Sequence, residues 1–184
     1  MAVEVPRPHA PDAIDQPSEY QRFLVSLVGD DDPAEAQAAT IDEARRLIDE
    51  AGGRIRTRPE PGEWSVIECL GHIFDADLVS AGRYRWAIAH DEPDVIGYDQ
   101  DRWVERLHHA DDDPEELFTQ FAGLRRTNLA LWRRLTDEEK QRVYLHAERG
   151  PESVDLAFHL IAGHDRFHLA QARWALANVR DDDR

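Results

Sequence analysis

The sequence predicts an all-α fold, a four-helix bundle with one long crossover between its second and third helices. Three observations carry the prediction. Four long segments repeat apolar residues at helical spacing, and three of them open on recognisable side-chain caps. No run shows the period-two alternation of a half-buried strand. Short links flank the outer helices while a long polar stretch separates the middle two, which is how bundles with crossovers are connected.

Residues 1–17 carry four prolines and no periodicity, and are read as an arm. Glu19 to Val28, "EYQRFLVSLV", is a short amphipathic piece, and "GDDDP" breaks the chain after it. Asp32 then caps the first long helix, with Pro33 at its first position and Glu35 in its first turn. Its stripe runs through Ala38, Ile41, Ala44 or Arg45, and Ile48, until Gly52 and Gly53 end it. Ser65 and Glu68 form a capping box that opens the second helix, which continues to about Ala89. Its stripe is Val66, Cys69/Leu70, Ile73, Ala76/Asp77, Ala81, Tyr84 and Ile88.

Residues 90–112 form the crossover, with room for one short helix. Asp113, Pro114, Glu115 and Glu116 start the third helix, whose stripe is Leu117, Phe121, Leu124, Asn128, Leu131 and Leu135. Thr136 and Glu139 make a second capping box over a short helical turn. "HAERGPES" reads as a loop, and the last helix spans about Glu152 to Asn178. Pairing of the first helix with the second, and of the third with the fourth, as antiparallel neighbours follows from the short links. The chain thus divides into an arm (1–17), a bundle (18–178) and a tail (179–184).

Hydrophobic residues make up 41% and charged residues 33%, the balance of a globular domain. The formal net charge of −16, from 38 acidic and 22 basic residues, argues against nucleic acid and anionic membrane as partners, since both would be repelled. No segment approaches the ~18 apolar residues of a membrane span. The N-terminal stretch lacks the basic and apolar regions of a secretory signal, so a cytoplasmic location is expected. The single cysteine, Cys69, excludes an intrachain disulfide and reads as a small buried hydrophobe.

On the last helix the apolar stripe is Val154, Ala157/Phe158, Ile161, His164/Asp165, His168, Ala172 and Ala175/Leu176. Two histidines therefore interrupt it at i,i+4, the spacing at which one helix presents two imidazoles to one metal ion. A third candidate, His72, lies near the inward face of the second helix, with Glu68 and Asp75 one turn away on either side as groups that could orient an imidazole. Three histidines with a fourth position left open have the layout of a catalytic metal site. The alternative, a set of hydrogen-bonded core histidines, stays open at this level. His9, His90, His108, His109, His146 and His159 lie in loops or off the stripe and read as solvated or structural. HxxxH lacks the glutamate of HExxH, which excludes the zincin protease pattern.

The segments "EWSVIECLGHIFDAD" (63–77), "YDQDRW" (98–103) and "HAERGPESVDLAFHLIAGHDRFHLAQ" (146–171) resemble the DinB-like (DinB/YfiT) superfamily over roughly residues 34–177. The resemblance implies a bundle of up-down-down-up topology and a metal held by His72, His164 and His168. Such all-nitrogen sites suit Zn, Ni, Fe or Mn and disfavour Ca and Mg. It also implies thiol chemistry, because family members include bacillithiol transferases and mycothiol-dependent maleylpyruvate isomerases. The expected partners are then a small-molecule thiol and an electrophile. Metal-dependent hydrolysis and a non-catalytic, stress-related metal-binding bundle are the alternatives. A homodimer is expected from the resemblance and from Trp86, Trp103, Trp132, Trp174 and Phe23, which exceed what one small bundle needs.

Overall fold

A computed structural model describes residues 5–13 and 15–179. The first four residues of the expected arm and residues 180–184 of the expected tail lie outside them. The helices are α1 (Pro17–Val28), α2 (Pro33–Ala51), α3 (Val66–Ala89), α4 (Gln100–Arg106), α5 (Pro114–Arg134), α6 (Asp137–Lys140) and α7 (Val154–Asn178). Three short strands accompany them, β1 (Asp94–Val95), β2 (Val143–His146) and β3 (Gly150–Ser153). Helices α2, α3, α5 and α7 form the four-helix bundle.

Local chemistry sets the helix ends. The Asp32 carboxylate accepts from the backbone N–H groups of Ala34 and Glu35, and Asp113 does the same for Glu115 and Glu116. At α3 the Glu68 carboxylate accepts from both the backbone N–H and the hydroxyl of Ser65, at 2.8 and 2.7 Å. The expected box is there, and Arg58 anchors Glu68 from outside. Gly52 ends α2 at φ +50°, a conformation that costs glycine little.

The directions of the four helices follow from their cross-links. Arg45 of α2 pairs with Glu115 at the start of α5, whereas Gln37 offers its carbonyl to Arg125 further along, so these two run antiparallel. Asp77–Arg125 and Arg85–Asn128 advance together, so α3 and α5 run the same way. Thr40–Asp165 and Glu43–Arg173 make α2 and α7 parallel. The topology is up-down-down-up.

Neighbour relations differ from those expected. α2 and α3 each pack mainly against α5 and α7 rather than against each other. α5 and α7 meet through the buried pair Arg125–Asp165 and the stacked rings of Trp132 and Phe158. The link of residues 52–65 is long enough to cross the bundle's diagonal, so a short connection need not join adjacent helices.

The sheet is a second departure. β2 and β3 pair antiparallel across a hairpin, with His146 opposite Gly150, so "HAERGPES" is a hairpin where a loop was expected. β1, from the crossover, adds to β2 in parallel. Strands of two to four residues are too short to display alternation in sequence. Their partnership depends on a crossover that returns to the hairpin.

One apolar cluster gathers Leu47, Val66, Ile67, Ile73 and Phe121; another gathers Tyr84, Leu129, Tyr144, Val154 and Phe158. Arg125, fully buried, lies at the bundle's centre. It pairs with Asp165 and, at 3.2 Å, with Asp77, while Asn128 donates to Asp77. Most aromatics behind the expected homodimer are engaged within the chain: Trp132 stacks on Phe158, Trp103 meets Tyr98, Phe23 meets Phe167, and Trp174 carries the Arg7 guanidinium. Trp86 stays half exposed. No helix among the described residues is long and apolar enough to cross a membrane.

Candidate metal centre

His72 projects from the second turn of α3, and His164 and His168 project from one face of α7, which packs against α3. The fold therefore brings together all three sequence-predicted residues. Each offers a ring nitrogen, and these ligand atoms all lie within 4.8 Å of one another. All three side chains are buried. The ring centroids of His72 and His168 are 4.4 Å apart, and those of His164 and His168 are 4.3 Å apart.

The hydrogen bonding is incomplete in an informative way. His72 Nε2 and His164 Nε2 approach to 2.9 Å, where only one of the two can donate. His168 Nδ1 donates to Gln171 Oε1 at 2.8 Å, which fixes the proton there and leaves a lone pair on Nε2. That Nε2 has no partner, and neither does Nδ1 of His72 or of His164. Buried polar atoms without partners are rare in proteins and call for a missing one. A cation fits this donor set.

Electrostatics point the same way. Burial, then the neighbouring imidazoles, hold His72 and His164 well below the usual histidine range. Burial pushes His168 down to about 4, against the opposing pull of Gln171. Three neutral imidazoles with free lone pairs are what metal ligation requires.

The acids expected to orient His72 serve elsewhere. Asp75 accepts from His109 Nε2 at 2.7 Å, and Glu68 is taken by Ser65 and Arg58. Asp165, adjacent to His164 in sequence, turns to Arg125 and Thr40. Gln171 is the group that orients a site histidine, and sequence reasoning missed it. Its signal was available, because i,i+3 from His168 is a facing position on a helix.

Trp64, buried just before the α3 cap, covers the cluster, its ring 5.1 Å from His72 and 5.8 Å from His168. Two cavities meet there. One, of about 290 Å³, reaches His72 and His164 and runs past Ala76, Ser80 and Arg83 to His146 and Arg149. The other, of about 350 Å³, reaches His168 between the N-terminal arm, Trp64 and Trp174. Asp12, Ala13, Tyr20, Gln100 and Asp101 line both. Burial pushes the Tyr20 hydroxyl up to about 12, so it faces the cavities protonated. His109 and His146, expected in solvated or structural roles, are both buried; His109 is structural, and His146 lines the first cavity.

Comparison with known proteins gives this arrangement a context. Two proteins of Oceanobacillus iheyensis, each named "Putative metal-dependent hydrolase", are 28% identical over 64% of this chain and 67% of theirs, and 26% identical over 67% and 72%. Bacillus subtilis YfiT, which bears the same description, is 26% identical over 59% of this chain and 62% of its own length. The solved structure of that protein, described as a probable metal-dependent hydrolase with an unusual four-helix bundle topology, superposes with a TM-score of 0.70. That match covers 91% of this chain and 89% of that one at 19% identity, and shows the shared fold. The family model described as the DinB superfamily matches residues 34–172, from the start of α2 to the turn of α7 beyond His168, and the chain belongs to that superfamily.

Proposed function

We propose that this protein is a metal-dependent enzyme in which His72, His164 and His168 hold one divalent transition metal, Zn, Ni, Fe or Mn, and that it transfers a low-molecular-weight thiol to an electrophilic substrate. The observation that carries this reading is the set of three neutral, buried imidazoles with unpartnered nitrogens at the end of a cavity. Bound there, the ion would supply positive charge that acidifies a thiol, or water, toward neutrality.

The chain's own residues have separable tasks. Gln171 holds the His168 proton on Nδ1, which keeps Nε2 available. Trp64 and Tyr98, whose rings flank His72, keep bulk water from that side. The cavity beyond His164 is far larger than a water molecule needs and can seat an organic substrate.

The hydrogen bonds described for the three histidines run to one another and to Gln171, and none runs to a carboxylate. A thiol needs only the metal to lose its proton, whereas hydrolysis through an activated water ordinarily adds a general base, a role open to Asp101, which lines both cavities. Hydrolysis is the second reading, favoured by the names of the relatives.

The test begins with metal content. Wild-type protein is expected to bind one equivalent, and His72→Ala and His164→Ala to lose it while keeping wild-type helicity by circular dichroism. Retention of full metal by His164→Ala refutes the site. Conjugation of several biological thiols to a reactive electrophile is then followed with and without chelator. Equal rates in both end the transferase reading, and chelator-sensitive ester cleavage without thiol replaces it with the hydrolase.

A further inference from the structure

The wall of the first cavity opposite the histidines carries a cation that the protein itself leaves unsatisfied. Arg83 lies on α3, on the line His72, Ala76, Ser80, Arg83 that faces the cavity. It is 6% exposed, yet no carboxylate among the described residues comes within ion-pair distance of it. Its Nε donor has no partner. Its Nη2 donates to the Ile96 carbonyl at 2.8 Å and also stands 3.2 Å from His146 Nε2.

His146 compounds the excess of donors. It is 2% exposed, and its Nδ1 accepts the backbone N–H of Glu148 at 3.2 Å. A neutral ring accepts at one nitrogen only, so accepting at Nδ1 places a proton on Nε2, facing the Arg83 donor. In either tautomer the pair holds one more donor than its surroundings satisfy. Arg149, which also lines the cavity, is neutralised by the fully buried Glu152 and adds no acceptor of its own. Burying an unpaired guanidinium is costly, and a charge-bearing oxygen in the cavity removes that cost.

We infer that Arg83 and His146 form an anion-binding subsite, which seats a carboxylate or phosphate group of the substrate or thiol while its reacting end lies at the histidines. The inference rests on the enzyme reading above for what occupies the other end of the cavity. Eleven residues separate His72 from Arg83, about 16 Å of helix axis, and the arginine's stem tilts back toward the histidines. A ligand reaching both ends is therefore elongated, its anionic group roughly a nanometre from the reacting atom. Glu148 lines the same cavity, its carboxylate lying over Gly97. It sets a threshold: the ligand's anion must outcompete that repulsion, so subsite affinity depends on Glu148 as well as Arg83.

The test uses the metal-loaded protein, with inorganic phosphate and succinate as probes at constant ionic strength. Binding is read as a saturable rise in melting temperature and as shifts of the His146 ring resonances. Wild type is expected to respond to at least one probe; phosphate alone indicates a phosphoryl group and succinate a carboxylate. Arg83→Gln should weaken binding tenfold or more and Arg83→Lys less, both still taking up one equivalent of metal. Glu148→Gln, a change at an exposed residue, should tighten binding severalfold. A wild type that shows no saturable response, an Arg83→Gln variant that binds as wild type does, or a Glu148→Gln variant that binds no tighter overturns the subsite. Because metal uptake is measured separately, its failure would instead indict the histidine site.

Discussion

Replacing Gly163 by alanine tests how closely α1 is keyed to the site. In the middle of an exposed helix this change stabilises by about 1 kcal/mol through helix propensity. Gly163 is different. A Cβ there would lie 2.6 Å from the carbonyl carbon and 3.0 Å from the Cα of Leu24, both backbone atoms of α1. Ordinary van der Waals contact needs about 3.5 Å or more, so α1 must move by roughly an ångström or come away. Coming away would expose Leu24 and Val28, each 2% exposed now. At ~1.5–3 kcal/mol for each buried side chain, that loss is about 3–6 kcal/mol, an upper bound because relaxation recovers part of it. Set against the propensity gain, the net expectation is a destabilisation of about 2–5 kcal/mol. Urea denaturation followed by tryptophan fluorescence measures it. Tyr20, Gln21 and Leu24 of α1 line the cavity beside His164, so trypsin cleavage within α1 should also accelerate. A Gly163→Ala protein as stable as wild type, or more so, would refute the close approach of α1 to α7.

Three further outcomes are expected. Arg125→Met leaves Asp77 and Asp165 buried without their cation and should cost about 3–5 kcal/mol in urea denaturation; a loss under 1 kcal/mol contradicts the central pairing. Although burial alone would lower it, the His109 pKa is raised overall by its hydrogen bonds to Asp75 and Asp112. A raised folded value stabilises fully below the unfolded value near 6.5 and fades as pH rises through the folded one. The stability difference between wild type and His109→Gln should thus be larger at pH 5.5 than at pH 9, and the reverse order would be inconsistent with the pairing. Cys69 is fully buried and its thiol pushed up by that burial, so iodoacetamide should label it in urea but not in buffer; labelling of native protein within minutes would contradict its placement.

Helix ends were the most legible part of the sequence, because Asp32, Ser65, Asp113 and Thr136 act through partners two or three residues away. The paired histidines of α7 were legible for the same reason, since i,i+4 is a local relation. What escaped notice depended on distant partners. Arg125 sits on the buried face of α5, but an arginine reads as solvent-facing until Asp77 and Asp165 arrive from two other helices. Proximity in sequence offers Asp75, like Glu68, to His72, whereas the partner of Asp75 is His109 from the crossover, where it packs on Gly71. The hairpin and its third strand were invisible because each strand spans so few residues. Nothing local marks Arg83, because its lack of a carboxylate partner among the described residues is a property of the fold.

The segments that wall the first cavity are mostly not the helices that carry the histidines. Asp12 and Ala13 come from the arm, Tyr20, Gln21 and Leu24 from α1, Gly97 to Asp101 from the crossover, and His146, Glu148 and Arg149 from the hairpin. The arm and α1 even precede the stretch that matches the superfamily. Under the proposed function, much of what would contact a ligand, Arg83 of α3 excepted, is thereby written apart from the helices that carry the imidazoles. Grafting the arm, crossover and hairpin of one relative onto another's bundle is thus a direct way to exchange the molecules that are accepted while the inner imidazoles stay as they are.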